Sequence, residues 1–218
     1  MQATLTSRFD SALDLAASLH RYQARKGSGE TAIPYLSHLL TVAAIVLEDD
    51  PDEDVAIAAL LHDGPEDHGG RETLKLITEQ FGPRVGEIVY ECSDTFAKPK
   101  PKWLPRKKRF LARLSKVEDP QILLVKCADC LANARSTLWD YRLLGDEVWS
   151  RFKSMPCPTN QIWWYANCVQ ALRPISGTRA FRQLEEVVTS LMREAEPCRN
   201  TTGVHSGHQD IRVIPTRR

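Results

Sequence analysis

The segment Ala58-Ala-Leu-Leu-His-Asp-Gly-Pro-Glu-Asp-His-Gly-Gly70 places two imidazoles and three carboxylates at the end of an apolar run. His62 and Asp63 close that run, and Glu66 and Asp67 follow at once. Charged groups in an apolar setting need counter-charge or a metal, because burial strips an ion of its hydration. Two further residues fit the same description. His38 stands one turn past Pro34, at the start of another apolar stretch, and Asp129 interrupts the run that begins at Ile122. Each alone is ordinary, since a lone histidine near a helix end is commonly a cap or a core residue. As a set, His38, His62, Asp63 and Asp129 offer two neutral nitrogens and two anionic oxygens, which balance one divalent cation. That mixture suits an octahedral first-row ion with open water positions, manganese or iron, better than a closed structural zinc site.

Such residues need rigid elements to hold them, and the chain reads as helical almost throughout. Phe9, Leu13, Ala16, Ala17 and Leu19 recur at helical spacing. Pro34 opens a second helix lined by Leu36, Leu39, Leu40, Ala43, Val46 and Leu47, proline being tolerated where its missing N–H has no partner. A third, from about Asp52 to Asp63, is apolar on nearly every side and belongs at the centre. Further helices are expected near Arg71–Gln80, Val85–Cys92, Leu104–Lys116, Pro120–Leu144, Asn160–Leu172 and Thr178–Glu194. No stretch alternates long enough to argue for a strand. The expected fold is a single all-α domain over residues 1–196, with a flexible polar tail over 197–218.

Composition sets outer limits. The 218 residues are 42% hydrophobic and 26% charged, enough to bury a core. A net charge of +1 argues against general affinity for nucleic-acid polymers or anionic membranes. No apolar run approaches the roughly 18 residues of a membrane-spanning helix, and Met1 to Asp10 lacks the order of a secretory signal. A cytoplasmic protein is expected. Cys127 and Cys130 form a C-x-x-C, but without a second pair they read as buried packing residues.

The order His38, His62-Asp63, Asp129 resembles the HD superfamily of metal-dependent phosphohydrolases. With Glu66-Asp67 added, the chain resembles the hydrolase domain of bifunctional RelA/SpoT enzymes and, most of all, the single-domain small alarmone hydrolases. The resemblance runs from about Ala12 to Leu172. It rests on H-x-x-Q-x-R-K (His20–Lys26), P-Y-x-x-H (Pro34–His38), L-L-H-D-x-x-E-D (Leu60–Asp67) and F-G (Phe81-Gly82). C-S-D-T (Cys92–Thr95), P-K-P-x-W (Pro99–Trp103) and the Asp129…Asn133 pair extend it. One departure is Gly64-Pro65, where the family more often has small or β-branched residues; it bears on the local backbone geometry and leaves both carboxylates in register.

The resemblance implies an HD-domain helical bundle holding one Mn2+ ion. It also implies removal of the 3′-diphosphate from guanosine 3′,5′-bis(diphosphate), ppGpp, or its pentaphosphate, pppGpp, to give GDP or GTP and pyrophosphate. Glu66 and Asp67 would orient or deprotonate the attacking water. Seven cations and no acid lie between Ala97 and Arg109, a phosphate-collecting arm in which Lys100, Arg106 and Lys107 match the family's pattern. Arg25 and Lys26 match a pair that lines the nucleotide pocket, Asn133 is placed to bond ribose or phosphate, and Tyr165 matches an aromatic contact. His20 and His68 have no assigned task. Adenosine substrates such as ppApp remain an alternative, because both purines offer a stacking face. More distant alternatives are an HD-type nucleotide phosphomonoesterase and an inactive nucleotide sensor. Both acids and all four ligands being present argues against the sensor. A synthetase domain is not expected in the roughly 50 remaining residues, and a homodimer through the last helix is an open option.

Overall fold

The computed structural model describes residues 5–26, 32–152 and 157–195. Its helices are α1 (Ser7–Leu19), α2 (Leu36–Asp49), α3 (Glu53–Leu61), α4 (Gly64–Asp67) and α5 (Arg71–Phe81). They continue as α6 (Pro83–Cys92), α7 (Trp103–Leu114), α8 (Pro120–Leu144), α9 (Pro158–Ala171) and α10 (Arg179–Glu194). Among the described residues the one strand-like feature is a β-bridge between Ala24 and Pro34. The fold is all-α, as expected. The tail expected over 197–218 lies outside the described residues.

The stretch apolar on every side becomes the centre. Every residue from Val55 to Leu61 is buried, so α3 contacts α1, α2 and α6 around its circumference. Asp52 starts it by accepting the Asp54 N–H at 2.8 Å, satisfying a donor the first turn leaves orphaned. The second central rod is α8. It is capped by Asp119, opened by Pro120, and buried without a break from Ile122 to Ala132. Cys127 and Cys130 lie in that buried run as free thiols, and burial pushes the Cys127 thiol up.

Sequence alone carries α3 to Asp63, but it stops at Leu61. Pro65 has no N–H to continue the ladder, so His62 and Asp63 form a bend and the chain restarts as α4. A side chain on Gly64 would come within 3.2 Å of Leu19 Cδ1, so the glycine lets α4 lie against α1. The Gly64-Pro65 departure therefore redirects the backbone just after the His-Asp pair. The 3-10 segment at Gly145–Arg151 is another feature the helical periodicity does not announce. α10 buries Ala180, Phe181, Leu184, Val188 and Leu191, with α8 and α9 as its main neighbours, and so its apolar stripe is already covered.

Candidate active site

The bend after α3 and the buried faces of α2 and α8 bring three of the expected metal ligands, His38, His62 and Asp129, to one point, with Asp63 beside the two imidazoles. His38 and His62 present Nε2 atoms from side chains about 1% exposed. Asp63 Oδ2 lies 3.6 Å from the first nitrogen and 3.2 Å from the second; Asp129 Oδ1 lies 3.3 and 3.8 Å from them. The ligand atoms of His38, His62 and Asp129 all fall within 4.8 Å of one another. His62 Nδ1 donates to the Ala59 carbonyl at 2.8 Å, which fixes the ring orientation and turns Nε2 toward the cluster. Neither Nε2 has a hydrogen-bond partner although both are buried. Buried polar atoms are almost always satisfied, so bare nitrogens facing two carboxylates fit a divalent cation.

Charge around the cluster is strongly coupled. Burial pushes Asp129 upward, but the Lys126 ammonium and the two imidazoles hold its carboxyl well below the usual range. Burial works against the His62 cation, and Asp63 and Asp129 more than offset it, leaving that imidazole well above its ordinary value. Lys126 Nζ reaches Asp129 Oδ2 at 2.6 Å from one turn upstream and lies 4.8 Å from the Phe110 ring centroid. Asn133 Nδ2 donates to Asp129 Oδ1 at 2.6 Å, and Arg25 donates to Asn133 Oδ1 at 3.1 Å. Tyr35 donates its hydroxyl to Asp63 Oδ2 at 2.6 Å. The β-bridge at Ala24 and Pro34 holds the Arg25 strand segment against the entry to α2.

A cleft of about 280 Å³ opens above the cluster. Arg25, Lys26, Asp63, Glu66, Lys107, Asp129, Asn133 and Tyr165 border it. Asp67, Lys100 and Arg106 are not on that border. Asp67 lines a neighbouring pocket with Gln23 and His68, while Lys100 spans both acids at 3.1 Å from Glu66 Oε1 and 3.0 Å from Asp67 Oδ1. His20 and His68 find their place here. Gln23 Oε1 accepts from His20 Nδ1 and His68 Nε2, each at 2.8 Å, and Gln23 Nε2 donates to Asp67 at 2.8 Å.

Several cleft residues are not among the candidates from the sequence, including Lys126, Asp94, Thr137 and Arg151. Lys126 is signalled only by its three-residue spacing to Asp129. Asp94 sits in C-S-D-T, yet its partners Arg106 and Lys107 come from the next helix. Thr137 and Arg151 close the outer end, where Thr137 Oγ1 lies 3.1 Å from both Tyr165 Oη and an Arg151 guanidinium nitrogen. Tyr165 itself is buried, and its phenol is pushed up to about 12 by that burial.

Comparison with known proteins adds to this geometry. A family profile described as HD domain matches residues 12–152. The guanosine-3′,5′-bis(diphosphate) 3′-pyrophosphohydrolase of Aquifex aeolicus is 37% identical over 131 residues, 60% of this chain and 18% of that protein. The 3′-pyrophosphohydrolase MESH1 of Drosophila melanogaster is 33% identical over 132 residues, 60% of this chain and 69% of that protein. This chain thus spans less than a fifth of the long bacterial relative and more than two thirds of the insect one. A solved structure described as a metazoan ortholog of SpoT that hydrolyzes ppGpp has a TM-score of 0.68 at 27% identity. That match covers 85% of this chain and 96% of the other.

Proposed function

Because the chain belongs to the HD-domain family, we propose that it is a manganese-dependent phosphohydrolase that removes the 3′-diphosphate of ppGpp and pppGpp. The observation that carries this is the convergence of His38, His62, Asp63 and Asp129 with both imidazole Nε2 atoms unpartnered. A divalent cation held there supplies charge neutralisation to phosphoryl oxygens and makes water more acidic. The protein's part is to place a water against phosphorus and accept its proton.

Glu66 takes that part. It borders the cleft next to Asp63, and its Oε2 is fixed by the Asp94 N–H at 3.0 Å. It accepts a proton from the attacking water as the new oxygen–phosphorus bond forms and the bond between phosphorus and the 3′ oxygen breaks, and it returns that proton to the 3′ oxygen, which leaves as a hydroxyl. Asp67 stands behind it, sharing Lys100 and held by Gln23. Lys107, which borders the cleft, with Arg106 and Lys100 behind it, receives the diphosphate, while Arg25 and Lys26 meet the nucleoside side. Asn133 ties these ends together through Arg25 and Asp129. Tyr165, with Thr137, forms the far wall toward the 5′-phosphates. Most of the acceleration comes from positioning and charge, as in other phosphoryl transfers.

A product assay tests the proposal. Protein loaded with Mn2+ is expected to convert ppGpp to GDP and pyrophosphate, with activity lost on chelation and restored on adding the ion. If metal-loaded protein leaves ppGpp, pppGpp and ppApp intact, the proposal is overturned.

A further inference from the structure

Asp94 is an acid where a polyanion is expected, and its position explains why. Its side chain is 3% exposed, on the segment between α6 and α7. One oxygen, Oδ2, takes both Arg106 and the ammonium of Lys107, the latter at 2.8 Å. Two cations gathered on one oxygen repel each other, and their side chains are only 11% and 16% exposed, so water screens them little. The shared carboxylate offsets that repulsion and leaves the trio with one net positive charge. Lys107 is also held 4.2 Å from the Trp164 ring centroid, and Arg106 reaches toward Glu66 at 3.8 Å. The anchor is itself anchored, since Arg113 donates to the backbone carbonyls of Glu91 and Ser93 just before it. Burial pushes the Asp94 carboxyl up, but Lys107 and Arg106 prevail and hold it below the usual range.

We propose that Asp94 is a positioning residue that holds Arg106 and Lys107 together as a preformed clamp for a diphosphate group. Asp94 acts through the two cations, which make the contacts. The inference takes the diphosphate from the function proposed above, but the clamp can be examined with inorganic pyrophosphate alone. In Asp94→Asn the amide keeps the volume and loses the charge that gathers both cations. Calorimetric titration of manganese-loaded protein with pyrophosphate should show affinity at least tenfold weaker in D94N than in the wild type. KM for ppGpp should rise by a similar factor, with kcat within about threefold, because the backbone N–H to Glu66 is retained. In a double-mutant cycle D94N should add little to Lys107→Met, since both disable one clamp.

Unchanged pyrophosphate affinity in D94N, or full additivity with K107M, overturns the inference. If D94N does not fold by circular dichroism, Lys107→Met and Arg106→Gln decide it: a tenfold loss in each supports a joint clamp, and unchanged binding in either overturns it. Should wild-type protein bind pyrophosphate in an Asp94-dependent way yet hydrolyse no alarmone, the clamp stands and the proposed activity falls.

Discussion

The inner end of the cleft and its basic arm store charge in opposite ways. At the inner end the imidazole Nε2 atoms of His38 and His62 are buried and bare. In the arm, Lys100, Arg106 and Lys107 each already hold a carboxylate, from Glu66 and Asp67 in the first case and Asp94 in the others. A small cation must find donor atoms that no other protein group has claimed, and the two carboxylates beside the imidazoles supply the charge that draws it in. An anion site is different, because closely set cations repel and must be held in place by acids. The bare end selects an ion by its donor atoms. The paired arm selects an anion by the cations its acids hold in place and by the positive charge left over, as in the Asp94, Arg106 and Lys107 trio.

Breaking the inner end should have the largest effect. His62→Ala removes one of the two bare nitrogens, and bound manganese measured by elemental analysis should fall to background. Turnover of ppGpp should drop by roughly three orders of magnitude or more, since both charge neutralisation and water activation depend on the ion. Manganese held at wild-type affinity by this variant would show that the four side chains do not form the site. Glu66→Gln should separate metal from chemistry. It should keep the ion and lose about 10²–10⁴ in kcat, the usual worth of a positioned proton acceptor. Loss of metal instead would make Glu66 a ligand. In the arm, Lys100→Met should leave manganese affinity unchanged and raise KM by about tenfold, equivalent to about 1.4 kcal/mol. A metal-binding defect in that variant would erase the distinction between the two regions.

The inner end was also the more legible half. Asp129 and the His62-Asp63 pair stand out because charge within an apolar run has few explanations, and α3 and α8 are long apolar runs that could only be central. Even there, Lys126 is not a candidate: its three-residue spacing puts it beside Asp129 on the helix, but nothing in the sequence says that it satisfies one carboxylate oxygen while leaving the other to the cluster. The family resemblance supplied candidates for the arm, but their arrangement was not readable. Which acid each lysine or arginine holds depends on how the segment after α6 folds against α7, and periodicity does not record that. The end of α3 illustrates a local failure. Pro65 stops the ladder at Leu61, whereas the apolar pattern alone runs on to the His-Asp pair. The 3-10 segment that delivers Arg151 carries no helical stripe at all.

An ion pair that does not border the cleft sharpens the contrast with one that serves only the fold. Arg84 meets Asp119 at 2.7 Å, with both side chains 31% exposed, while the same carboxylate accepts the N–H groups of Gln121 and Ile122 at 2.9 and 3.3 Å. An exposed ion pair contributes little, so the cap on α8 should dominate. Asp119→Ala is expected to cost about 1 kcal/mol of unfolding free energy at pH 7, measured by urea denaturation. The bond from Arg84, with help from the two backbone donors, holds the Asp119 carboxyl below its ordinary value. Its folded value is therefore the lower one, so its contribution is complete above the unfolded value of about 3.9 and fades as pH falls through the folded one. The gap between wild type and D119A should accordingly close in acid below about pH 4. A gap that persists there would mean that Asp119 acts through packing, not through its charge. Manganese affinity and ppGpp turnover of folded D119A should match the wild type, because neither the bare donors nor the paired arm touches this cap.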